Sequence, residues 1–313
     1  MKTRLKSSIR GAGYSFAVAV LLIASSAAAQ NLFTADAAIG YIYEYTPGAL
    51  QSTFASGLDE PEGLAFNSAG DLFVSVYGSG NITEITPGGV QSTFASGWKE
   101  PSGLAFNSAG DLFVADYPIG IGTRANITEI TPGGSQSTFA SGLESPGPLA
   151  FNSAGDLFVT STGAIIKITP GGSQSIFASG LGLPAGLAFN SAGNLFVANQ
   201  TGNSIIEITP GGVKSPFASG LNDPEGLAFD TAGDLFVANN GGEDIIKITP
   251  GGMQSTFASG FSSSIGLAFQ GENLPVPEPS ALGLLAIGAA AFLVRRIRNG
   301  GTKVSPNSSP RAF

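Results

Sequence analysis

Gly63-Leu64-Ala65-Phe66-Asn67-Ser68-Ala69-Gly70-Asp71-Leu72-Phe73-Val74 decides how this chain is built, because the same unit returns from Gly103, Pro148, Gly186 and Gly226. Asp71 is matched in the later copies by Asp111, Asp156, Asn194 and Asp234. The copies start between 38 and 45 residues apart. A period near 40 that holds several strands points to the blades of a propeller. Each copy yields four strands. Gly-Leu-Ala-Phe is the first, and an Asn-Ser-Ala-Gly turn leads to the second, Asp-Leu-Phe-Val. Ile82-Thr83-Glu84-Ile85-Thr86 alternates apolar and polar residues as a third. The Pro87-Gly88-Gly89 turn leads to a fourth, Gln91-Ser92-Thr93-Phe94-Ala95. Glycine supplies the positive φ such turns need and proline fixes the entry, so the connections are hairpins rather than crossover helices.

Working outward, the two ends of the repeat region complement each other. Asn31 to Ala55 supplies strands two, three and four with no first strand, and Gly266-Leu267-Ala268-Phe269 is a first strand with nothing after it. Joined, they make one composite blade and close the ring, which removes two sheet edges. Of the 22 phenylalanines, 18 fall at three repeat positions, three for each of six blades, with Phe33, Phe54 and Phe269 as the composite set. The expected fold is therefore all-β, a six-bladed propeller of four-stranded antiparallel blades. The blades cover about 31–56 plus 265–270, then 61–97, 101–142, 146–180, 184–220 and 224–260, inside a propeller region of 30–271. An open solenoid would instead want polar capping repeats.

Composition agrees with many short strands. Glycine stands at 45 residues while charged residues make up 12%, too few to face long surface helices. With no cysteine and no histidine, disulfides, thiolate or imidazole metal sites and histidine acid–base chemistry are excluded. Between Asn31 and Pro275 there are 5 basic residues against 21 acidic ones. Such a body is no nucleic-acid binder, because phosphate contacts need Lys and Arg; its carboxylates and amides leave room for a calcium-type ligand set.

Residues 1–29 read as a secretory signal: a basic stretch, an apolar run from Phe16 to Ala24, and small residues ending at Ala29, with cleavage expected before Gln30. Residues 272–280 read as a linker. The apolar run Ala281 to Val294 makes a helix of roughly 21 Å, short for a hydrocarbon core of about 30 Å unless its flanking arginines snorkel. With the Arg295-Arg296 cluster it forms an expected transmembrane segment, 281–298, basic side cytoplasmic; 299–313 is an expected disordered tail. Pro277-Glu278-Pro279, the apolar run and the arginines together resemble the PEP-CTERM sorting signal. That resemblance implies an exosortase-type processing protease as partner, membrane association through the C-terminal helix, and export to the cell surface or extracellular matrix. Members of that family usually end soon after the basic cluster, whereas this chain runs on to Phe313.

The repeat itself resembles the NHL-type and gluconolactonase-like six-bladed propellers, and also virginiamycin B lyase, through Pro61-Glu62-Gly63-Leu64-Ala65-Phe66, Gly110 to Asp116 and Ile205-Ile206-Glu207-Ile208. The lyase chemistry relies on a histidine, and the chain has none. Gluconolactonase-like relatives imply a divalent metal held by a glutamate near the first strand with Asn and Asp from other blades. Glu62 and Glu225 stand at that point; Asp116, Asn199 and Asn239, with Asp36, share a second-strand position and either complete an oxygen-rich calcium site or cap their own turns.

Internal repeats also separate scaffold from candidate function. The Asn-Ser-Ala-Gly and Pro-Gly-Gly turns barely change and share one end of each blade. The crossovers and the loops from strand two to strand three vary and share the other end, which is where a binding surface is expected, or else where loops drift unconstrained. On that face Tyr77 and Tyr117 occupy one repeat position with Trp98 in the crossover between them, a set that stacks on sugar rings or packs its own loops. Arg124, in a loop that is five residues longer in the third blade, is expected to pair with Asp116 or hold an anion. The leading expectation is a non-enzymatic exported scaffold that binds an envelope protein or polysaccharide. A calcium-dependent lactonase- or esterase-like hydrolase built on Glu62 and Glu225 is the alternative.

Overall fold

The computed structural model of the protein describes residues 30–116 and 124–271. Among them lie six four-stranded antiparallel sheets, five of which follow chain order from first strand to fourth. The sixth is composite: Ser264–Phe269 pairs with Leu32–Asp36, which pairs in turn with Tyr41–Tyr45 and Gln51–Ser56. Phe269 stands opposite Leu32 and Ser264 opposite Asp36, with an irregularity between Thr34 and Asp36. The first strands touch one another in an unbroken circle around the axis, and the ring is closed. The signal, linker, transmembrane and tail segments expected at 1–29, 272–280, 281–298 and 299–313 lie outside the described residues, all but Gln30 of the cleavage point included. Among the described residues no helix is long and apolar enough to cross a membrane.

Apolar side chains, not backbone pairing, join one sheet to the next. Each second-strand phenylalanine meets the fourth-strand phenylalanine of its own blade and the first-strand phenylalanine of the following blade. Phe33 with Phe54 and Phe66, or Phe196 with Phe217 and Phe229, are examples. All six junctions repeat this edge-to-face geometry at centroid distances of 4.8–5.0 Å. Phe269 thus belongs to the composite sheet but packs on Phe236 of the blade before it. The positive ring edge on the negative ring face adds to what burial already supplies, about 1.5–3 kcal/mol per ring.

The fourth-strand ring reaches inward because of a bulge. Ile82 faces Ala95 and Thr83 faces Thr93, so Phe94 is the extra residue, and the same skip occurs at Phe54, Phe139, Phe177, Phe217 and Phe257. A bulge re-aims one side chain, which lets adjacent Phe and Ala both turn toward the core. On the axis side, a Cβ on Gly63, Gly103, Gly186, Gly226 or Gly266 would collide with the backbone of the next first strand. Glycine at this position lets the inner strands approach closely enough to close the circle.

Candidate functional site

Both invariant turns lie at one end of each blade: Gly70 sits against Pro87, Gly110 against Pro132 and Gly233 against Pro250. Asn67 builds its turn by accepting the Ala69 and Asp71 N–H groups at 2.9 Å each. These turns are thus self-contained, and the crossovers and strand-two-to-three loops occupy the opposite end.

At that opposite end the axis opens into a cavity of about 750 Å³. Its floor is a ring of six equivalent leucines, Leu64, Leu104, Leu149, Leu187, Leu227 and Leu267, each buried. Its mouth is polar. The residue before each leucine's neighbouring glycine points here: Glu62, Ser102 and Glu225, with Ala185 and Ile265 between them. The fourth blade departs from the pattern. Pro148 replaces the glycine and cannot donate a ladder hydrogen bond, so the first strand shortens to Leu149–Phe151. Ser145, Gly147, Thr160, Ser161 and Thr162 line the wall it vacates.

The two glutamates are shaped by burial. Burial first, then the charge of Glu225 and those of Glu60 and Glu100, push the Glu62 carboxyl up to about 8. Burial and the Asp223 charge push Glu225 up to about 7, against hydrogen bonds from Asn240 and Gln200 that pull it down. Those bonds reach Glu225 Oε1 at 3.1 and 3.2 Å. Tyr77 also lines the cavity; burial, a hydrogen bond to Glu100 and the charges of Glu100, Glu62 and Glu60 push its hydroxyl up to about 12, so it remains a donor. Ser102 Oγ and Glu100 Oε2 are buried without a hydrogen-bond partner among the described residues. A buried hydroxyl left unsatisfied at a cavity wall is a group that a ligand can satisfy.

The remaining expected site residues separate from this centre. Asn199 Oδ1 accepts the Gly182 N–H at 2.8 Å, Asn239 Oδ1 the Asn222 N–H at 2.6 Å, and Asp116 Oδ1 the Glu100 N–H at 3.0 Å. Asp36 accepts the Ser262 and Ser263 N–H groups at 2.9 and 3.1 Å. One second-strand position therefore pins the crossover backbone in four blades. Among the described residues no three acidic side chains stand together as a metal site. Of the expected metal set, Glu62 and Glu225 line the cavity, while Asp116, Asn199 and Asn239 hold crossover backbone.

Trp98 packs on the Phe73 and Ile82 cluster, at the repeat position held elsewhere by Leu58, Leu143, Leu181, Leu221 and Phe261. Arg124 does not reach Asp116. Its Nη2 stands 4.0 Å from Glu144 Oε1, in the open, and Nη1 donates to the Gly142 carbonyl at 3.3 Å, because Arg124 begins the third strand of its blade directly opposite Glu144. Tyr117 lies outside the described residues. Of the two described members of the expected aromatic set, Tyr77 lines the cavity and Trp98 does not. Gln200 and Asn240, not singled out in the sequence, occupy the repeat position of Tyr77 just after the second strand. That alignment was the available signal.

A family model described as the PEP-CTERM protein-sorting motif matches residues 275–298, a span that holds Pro277, Glu278, Pro279, Arg295 and Arg296. The motif marks an exported, membrane-associated protein processed by an exosortase. No curated protein matches the chain. Among solved structures, one described as a nidogen/laminin complex aligns at 19% identity with a TM-score of 0.69, covering 77% of this chain and 98% of that one. Streptogramin B lyase aligns at 16% identity and TM-score 0.60, over 77% and 86%. A gluconolactonase from Xanthomonas campestris aligns at 19% identity and TM-score 0.59, over 67% and 79%. At these identities the likeness is one of fold.

Proposed function

We propose that this exported propeller is a non-enzymatic binder of a neutral, hydroxyl-rich ligand, the end or a loop of an envelope or matrix polysaccharide, held in the central cavity. The observation that carries this reading is the pairing of a leucine floor with a mouth that holds two buried carboxyls, Glu62 and Glu225, beside Tyr77 and the unsatisfied Ser102 hydroxyl; burial favours the protonated form of both carboxyls. A protonated carboxyl both donates and accepts, as sugar hydroxyls do. Tyr77 supplies an aromatic face with a donor, Ser102 an unspent hydroxyl, and the leucines cover the apolar side of a ring. The acidic body disfavours polyanions. Export by a signal cleaved between Ala29 and Gln30, residence at the cell surface or in the matrix, and removal of the tail near Pro277 complete the proposal.

Calorimetry with neutral and acidic oligosaccharides tests the site. Neutral oligosaccharides are expected to bind, with affinity that falls as pH rises from 6 to 9 and Glu62 and Glu225 lose their protons. Glu62→Gln is expected to flatten much of that dependence. No binding at any pH, or a preference for acidic chains, overturns the assignment. Lactone turnover that disappears in Glu62→Ala would replace it with hydrolysis.

A further inference from the structure

Both ends of the described chain leave the ring on the face opposite the cavity. Gln30, Leu32, Thr46, Pro47 and Phe269 line one small cavity of about 240 Å³, which places the two termini beside the Pro-Gly-Gly-type turn of the composite blade. Gln30 Nε2 donates to the Gln270 carbonyl at 3.0 Å, and Gln270 N–H to the Asn31 carbonyl at 3.1 Å. The sorting motif begins at residue 275. The apolar run that follows starts at Ala281, so nine linker residues separate it from Gly271, a reach of roughly 30 Å when fully extended.

That face is not uniform. The residue after each of these turns is Leu50, Val90, Ser135, Ser173, Val213 and Met253 around the ring. The four apolar members are 66–72% exposed. They sit on the fifth, sixth, composite and second blades, a continuous arc centred where the chain leaves. The serines sit on the third and fourth blades, across the ring. The arc's turns carry no charge, and the residue following Val213 is Lys214. The other exposed large hydrophobics, Ile39, Ile176 and Leu183, share no such position. Side chains at hairpin tips have no packing reason to be apolar on one side of a ring and polar on the other.

We propose that this arc is a lipid-docking surface. Leu50, Val90, Val213 and Met253 enter the headgroup region of the bilayer that takes the sorting segment, so the ring stands with its cavity directed away from the membrane. Apolar tips joined to a membrane segment by a nine-residue linker meet the lipid surface at high effective concentration and gain burial there. The lipid surface is the chosen occupant because the chain continues into a membrane-sorting segment at the centre of the arc.

The absence of cysteine makes the test direct. The full chain is reconstituted in phosphatidylethanolamine–phosphatidylglycerol vesicles with single cysteines at Val90→Cys, Met253→Cys, Ser135→Cys, Ser173→Cys or Ser79→Cys, each carrying a polarity-sensitive fluorophore. Nitroxide-labelled lipids are expected to quench positions 90 and 253, but not 135, 173 or the cavity-face position 79. Quenching at 253 is expected to be lost in Leu50→Ser/Val90→Ser/Val213→Ser with circular dichroism unchanged. Equal quenching at 173 and 253 overturns the proposal, as does none at 253 while the tail is protected from protease. Shielding at 253 that follows protein density rather than quencher assigns the arc to a second copy and overturns it as well.

Discussion

Glu62 keeps its proton to about pH 8 because the fold removes it from water and places other carboxyls around it. An unfolded chain offers no such environment, so its Glu62 ionises near the ordinary value of 4.5. The folded state then binds more protons than the unfolded one between about 4.5 and 8, and stability contributed below that window is lost as pH rises through it. Glu225 adds a similar loss between 4.5 and about 7. Denaturant unfolding at pH 5 and pH 8.5 is expected to show a deficit of a few kcal/mol at the higher pH. In Glu62→Gln, which mimics the protonated side chain, that deficit shrinks; an unchanged deficit would remove the burial argument. At the same scale, Phe196 lies between Phe217 and Phe229 at 4.8 and 4.9 Å. Phe196→Ala is expected to cost about 3–5 kcal/mol in chemical denaturation, as large core truncations do. The phenylalanine positions were legible in the repeat. The fate of Trp98 was legible too, since leucine or phenylalanine holds its place in the other blades. The protonation of the glutamates was not, because Glu62 is raised first by burial in the closed ring and then by Glu225, far away in sequence, with Glu60 and Glu100 adding to it.

At the scale of the strand, two departures from simple alternation carry the architecture. Phe94-Ala95 and its copies put two apolar residues in succession on an edge strand, which period-two patterning does not allow. A bulge resolves the conflict by turning both inward. Pro216 stands in the same outer strand of the fifth blade, where an edge tolerates the missing donor. The inner strand has the reverse constraint. A methyl group on Gly226 would meet the backbone of Ile265, Gly266 and Leu267, which cannot move without opening the circle. Gly226→Ala is expected to lower stability by about 1–3 kcal/mol or more, read as a fall in unfolding midpoint. The same change at the exposed turn residue Gly251, which has only a threonine hydroxyl within 4 Å of the added atom, is expected to cost less. The sequence identifies these glycines as repeated, but nothing local says whether they serve a turn or a close approach. Only the neighbouring strand reveals that.

At the scale of the ring, the composite blade makes the ends interdependent. Asp36 is nearly inaccessible and receives two N–H groups from Ser262 and Ser263, while Thr34 and Ser264 share a hydroxyl contact at 3.0 Å. Ending the chain after Gly260 removes the strand that covers Leu32–Asp36 and strips Phe236 of Phe269. The truncated protein is expected to lose its single sharp unfolding transition and bind a hydrophobic dye; an unchanged transition would show that the closing strand is dispensable. Mass measurement of the mature protein checks the proposed ends at Gln30 and near Pro277.

Repetition within the chain determined the blade count, the strand order, the complementary half-blades and the division between invariant and variable faces, because each depends on contacts that recur once per unit. The same repeats hid the cavity. Its character arises where six non-equivalent residues, Glu62, Ser102, Gly147, Ala185, Glu225 and Ile265, converge on one axis. The desolvation of Glu62 and Glu225, and the effect of the Glu225 charge on Glu62, exist only once the circle has closed. The tertiary structure likewise decided that Asp116, Asn199 and Asn239 each accept a crossover N–H, and that the apolar turn tips gather around the chain's exit. Proximity across the ring is a property of closure, and no window of sequence contains it.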